Sequence, residues 1–143
     1  MWRTLLCSNM LILVLTSCPA SQPTAPLPSV TGTWEGLESF PQQNGVPANR
    51  FNVRYVLQDI GGSLSGQVYA CNEGTFECDP TDVSGNRNGS ALTLRYNSAL
   101  DDENNTIVTV TTQGTFGGTV ISGTTMYPIG NLTVTGTTSL SKK

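Results

Sequence analysis

The chain has no histidine anywhere in its 143 residues. That excludes Ser-His and Cys-His nucleophile pairs and most zinc hydrolase centres, which use an imidazole as base or ligand. Charge is scarce too: Asp, Glu, Lys and Arg make up 12% of the sequence, and the net charge of −3 comes without a basic run. A surface that neutralises phosphates is therefore missing, as is a polybasic patch for anionic lipid, so no nucleic acid partner is expected. Beyond the first 20 residues no stretch carries the apolar period of an amphipathic helix. The remaining acid-base groups are carboxylates, and the run Asp101-Asp102-Glu103 lacks the spacing of a calcium loop and reads as a solvated turn. With no catalytic residue, metal ligand or cofactor site assigned, a non-enzymatic protein is expected.

What the sequence does hold is 15 glycines and an abundance of Thr, Ser and Asn, a composition suited to short strands and turns. Its length suits one folded domain. Residues 1–17 begin with the positive charge of Arg3 and continue into the apolar run Met10-Leu11-Ile12-Leu13-Val14-Leu15, the order of a signal peptide. Interrupted by Ser8 and Asn9, the apolar segment falls short of the roughly 20 residues a membrane-spanning helix needs.

The junction Leu15-Thr16-Ser17-Cys18 resembles the lipobox of bacterial lipoproteins. The resemblance implies cleavage before Cys18, a diacylglyceryl group on its sulfur and an acylated new amino terminus. Several acyl chains anchor a protein stably to a membrane where one is marginal. Pro19, where retention on an inner membrane calls for Asp, implies delivery to an outer membrane in an organism that has one, with the domain facing periplasm or exterior. Cleavage after Ala20, which would release a soluble protein, is the alternative. Residues 18–29 then form a tether, with Pro19, Pro23, Pro26 and Pro28 and no charge. Between Pro19 and Ser29 a polyproline II conformation would span about 34 Å.

Two cysteines belong to the domain at 30–143, Cys71 and Cys78. In an oxidising compartment a disulfide between them would pin a strand-to-strand loop and contribute about 2.5 kcal/mol through chain entropy. The alternative, a metal site, would need two more ligands drawn from carboxylates.

From Val30 onward apolar residues recur with period two between Gly, Asn, Asp and Pro clusters, and the pattern resolves into eight strands. The clearest has Phe51, Val53, Tyr55 and Leu57 on one parity and Asn52, Arg54 and Gln58 on the other, with Val56 the exception. An aliphatic-Ser/Thr-Gly-polar pattern recurs at Val30, Leu64, Val83, Ile121 and Val134, placing aliphatic residue and glycine on the inner face and the hydroxyl outside. Glycine within a strand marks a bend or a close approach, both needed in a narrow barrel. The expected fold is all-β, an eight-stranded antiparallel up-and-down barrel, with a β-sandwich as the alternative.

Gly32-Thr33-Trp34 at the start of the first strand resembles the Gly-x-Trp motif of lipocalins, avidins and related calycin barrels. The resemblance implies a lipocalin-like barrel with Trp34 plugging one end. Thr81-Asp82-Val83 matches the second lipocalin motif only in part, no arginine lies near the last strand to cover the tryptophan, no helix follows strand eight, and the several tryptophans of an avidin-type site are missing. No ligand is carried over.

Function is left among three readings. In the first, the barrel carries a small apolar or amphipathic molecule, with Tyr55, Tyr96, Phe116 and a rim Arg87 as candidate ligand-binding residues. In the second, the loop Asn72 to Glu77 inserts into an envelope protein such as a cell-wall hydrolase or protease, as an interaction or inhibitor module. In the third, the lipoprotein has no specific ligand.

Overall fold

The computed structural model describes residues 28–100 and 104–143. The signal segment, Cys18, most of the tether and the acidic run 101–103 lie outside the described residues. Eight strands follow in order: β1 (Gly32–Phe40), β2 (Asn49–Ile60), β3 (Ser63–Asn72), β4 (Thr81–Asn88), β5 (Ala91–Ala99), β6 (Ile107–Phe116), β7 (Val120–Ile129) and β8 (Leu132–Lys142). Each pairs antiparallel with the next, and β8 returns to β1, so the sheet closes into an up-and-down barrel with no free edge. Closure sets aside the sandwich.

Side-chain alternation drives this arrangement. Val53, Tyr55 and Leu57 are buried while Val56, the exception in the pattern, is 41% exposed on the outer wall. In the five aliphatic-hydroxyl-glycine repeats every aliphatic residue is buried and every hydroxyl residue exposed. The first, at Val30, precedes β1 rather than lying in it.

The glycines serve close approach. A Cβ built on Gly36, Gly66, Gly85 or Gly123 would come closer than 3.0 Å to the backbone of the neighbouring strand. Three have large register partners: Gly36 lies opposite Leu140, Gly66 opposite Leu57, and Gly85 between Leu64 and Leu94, while Gly123 lies between Gly114 and Thr138. Leucine therefore covers the space beside the first three, and alternating large and small residues fill the narrow interior there. The vacant lumen that glycines on the inward parity allowed for is not what they provide.

The two ends of the barrel differ. Tight connections at 61–62, 89–90 and 117–119 gather at one end, together with Val30 and the carboxyl-terminal Lys143, whose N–H donates to Thr33 O at 2.9 Å. Trp34, with no exposed surface, fills this end: its ring meets Phe116 edge-on at 5.6 Å and its Nε1 donates to Val30 O at 2.8 Å. Lys142 Nζ lies 5.4 Å from the Trp34 ring, so a lysine of the last strand provides a cation over the tryptophan in a chain with no arginine there. The opposite end gathers the connections 41–48, 73–80 and 130–131 and the described residues 100 and 104–106, and forms a mouth. The eight strands of the closed sheet and, among the described residues, the whole core cluster fall between Val30 and Lys143.

Candidate functional site

Of the four candidate ligand residues the structure brings Tyr55 and Tyr96 together, ring centroids 6.3 Å apart, and places Arg87 and Phe116 at the closed end. Arg87 lies at the closed end, where its Nε donates to Asp59 Oδ2 at 2.8 Å and a terminal nitrogen donates to Gly89 O at 2.9 Å. Asp59, its side chain 2% exposed, also accepts from the N–H groups of Gly62 and Val30 at 3.0 and 3.3 Å. Burial works to raise the Asp59 carboxyl, but these donors and the guanidinium outweigh it and hold it below its ordinary value. Arg87 is thus committed to an ion pair rather than free at a ligand rim. Phe116 is spent on Trp34, and Tyr55 and Tyr96 are buried halfway along the barrel.

The two tyrosines frame a group that the sequence reading did not single out, Glu38. Only 1% exposed, its carboxyl accepts from Tyr55 OH at 2.9 Å, Tyr96 OH at 3.3 Å and Thr125 Oγ1 at 3.3 Å. Thr125 is bonded in turn to Thr112 at 2.8 Å and to Thr138. Removal from water pushes the Glu38 carboxyl above its ordinary value, against the pull of the hydroxyls, and burial beside Glu38 keeps both phenols protonated. Every buried side-chain polar atom among the described residues has a partner, so the cluster is a closed network binding six strands together rather than a vacant receptor. A signal for it existed in the sequence: counting by two from the inward Trp34 reaches Gly36, Glu38 and Phe40.

Above this network lies the mouth. Phe40 packs edge-on against Phe51 at 6.0 Å and Tyr127 at 6.2 Å, and these rings form the floor of a cup of about 510 Å³. Its walls are Val46, Pro47 and Ala48 from the β1–β2 connection, Ala70, Ala99, Ile129 and Val134, with Asn49, Asn72 and Ser98 as polar members. The lip is held in place. Asn44 and Gly45, both at positive φ, make the tight turn that lets Gln43 and Val46 exchange backbone hydrogen bonds at 3.1 and 2.8 Å. Gln43 then clamps the β8 backbone, donating from Nε2 to Thr135 O at 2.8 Å and accepting the Thr135 N–H at 2.9 Å. Ser98 Oγ and Tyr127 OH are hydrogen-bonded at 3.0 Å across one side. Such a concave, mostly apolar and pre-formed cup can take up a small molecule. Its walls combine the β1–β2 connection with the mouth-side ends of β2, β3, β5, β7 and β8, and the sequence reading did not single them out.

Cys71 and Cys78 are joined by a disulfide, with their Cα atoms 5.6 Å apart, so neither sulfur is free to ligate a metal. The enclosed loop does not project. It lies along the outer wall, where Asn52 Nδ2 donates to Thr75 O at 3.1 Å, Glu73 pairs with Arg50 at 3.2 Å, and Arg54 stacks 4.8 Å over Phe76. No protein-family model, curated protein or solved structure matches the chain.

Proposed function

We propose that the protein is an exported, membrane-anchored lipoprotein whose barrel holds a small apolar or amphipathic molecule in the cup at its mouth, without performing chemistry on it. The observation that carries this reading is the apolar, aromatic-floored cup of about 510 Å³ at the end where the longer connections gather. The binding place differs from the one the inward tyrosines suggested: the ligand sits on Phe40, above Glu38. The inhibitor reading has less support, because the loop Asn72 to Glu77 is fastened to the barrel wall.

Ala70 offers the test, since it is exposed and lines the cup without belonging to the core. Ala70→Trp should abolish uptake of an environment-sensitive apolar fluorophore while leaving the denaturant midpoint within about 0.5 kcal/mol of the parent. Uptake unchanged in this variant would remove the cup from consideration.

Anchoring rests on the junction Leu15-Thr16-Ser17-Cys18. Val30 enters β1 at the closed end, so a tether from Cys18 would join the barrel at the end opposite the mouth. The intact mass of membrane-extracted protein should correspond to a chain starting at Cys18 plus acyl groups, and Cys18→Ala should leave the precursor uncleaved at this site. A soluble chain starting at Ser21 would contradict the anchor.

A further inference from the structure

We infer that the ligand of the mouth is uncharged: an apolar molecule with a neutral hydrogen-bonding head, such as an alcohol, ester or amide, and not a carboxylate or phosphate. This rests on the proposed binding reading and specifies its ligand. Among the described residues none that lines the cup is charged, and its polar members are the amides of Asn49 and Asn72 and the hydroxyls of Ser98 and Tyr127.

The arginines are engaged elsewhere or face away. Arg87, the one on the inward parity, is paired with Asp59 at the closed end. Arg50 and Arg54, on the outer parity of β2, pair with Glu73 at 3.2 Å and with Glu35. Arg95 is exposed on the outside of β5, while Lys142 and Lys143 lie at the closed end over Trp34 and on Glu35. An anionic head seated on Phe40 and Phe51 would thus lose its hydration with no cation in the cup lining to replace it, since Arg50, beside Phe40, Pro41 and Ala48 outside the lip, is already paired with Glu73. Burial of an unpaired charge is among the most unfavourable events in recognition. Amide and hydroxyl groups can both donate and accept, which suits a neutral head.

The experiment uses the segment 28–143 and titrates it with decanol, decanoate and methyl decanoate at about pH 7, where decanoate is ionised. Decanol and the ester should bind, and decanoate should bind about 10-fold more weakly or worse. Asn72→Arg, which adds a cation at the lip, should strengthen decanoate by about 10-fold and leave decanol little changed. That gain separates a charge rule from a loss of folding. Decanoate binding to the parent as tightly as decanol would overturn the inference while leaving the carrier reading intact. Failure of all three probes to bind the parent would overturn the carrier reading itself, and this inference with it.

Discussion

Gly85→Ala and Gly123→Ala, each adding a single methyl group, are expected to lower stability by about 3 kcal/mol or more, the upper range of overpacking. Elsewhere a glycine-to-alanine change at an ordinary φ stabilises by up to about 1 kcal/mol, because the unfolded chain loses freedom. Neither glycine has a positive φ, so the backbone angle is no obstacle. The obstacle is the neighbouring strand. At Gly85 the new carbon would run into Thr93 O, and at Gly123 into Gln113 O, closer than 3.0 Å in both cases. Main-chain atoms held in a closed ladder cannot swing aside as a flexible side chain can. Gly117, whose nearest atom would be 3.9 Å away, is the control and should tolerate alanine. Denaturant midpoints and slopes for the three variants check this. Small changes at Gly85 and Gly123 would mean that the interior has room after all and would restore a deep lumen.

The second large effect concerns Glu38. Glu38→Ala should cost about 2 to 4 kcal/mol, because it opens a cavity and leaves Tyr55, Tyr96 and Thr125 with one partner fewer in a dry interior. Glu38→Gln keeps the volume and behaves differently with pH. Burial raises the folded-state pKa of Glu38, so the native chain keeps a proton that the unfolded chain releases. Stability therefore falls as pH climbs from the ordinary glutamate range toward the raised folded value. Removing the carboxyl removes that slope, and Glu38→Gln should gain on the parent as pH rises.

Glu35 and Asp59 work in the opposite sense. Arg54 above all lowers Glu35, and the backbone donors with Arg87 overcome burial to lower Asp59. Their contribution is present above the unfolded carboxylate range and is lost as pH falls through their folded values, so the two windows separate. Midpoints measured from about pH 4 to about pH 8 for parent and Glu38→Gln test the point. Parallel curves would show that Glu38 titrates alike in the native and unfolded chain, contradicting the effect of burial.

The alternation of β2 and the five glycine repeats were legible because a side-chain period of two survives any detail of register. Glu38 was not. In a sequence a glutamate reads as surface even where counting by two puts it on the inward parity, and its partners come from β2, β5 and β7, which converge only once the barrel has closed. The Arg87–Asp59 pair spans 28 residues and depends in the same way on the pairing of β2, β3 and β4. The mouth was least legible, since it joins the ends of five strands to the β1–β2 connection, whose position follows from clamps such as Gln43 on Thr135 rather than from any periodicity.

The central claim is that the barrel binds at its mouth and is filled below it. Chemical-shift mapping of isotope-labelled segment 28–143, titrated with decanol, tests this most directly. The account predicts saturable shifts at Phe40, Ala48, Ala70, Ala99 and Tyr127, with the Trp34 indole N–H and Phe116 unmoved. Shifts centred on Trp34, Phe116 and Tyr55 with the mouth residues silent would contradict it.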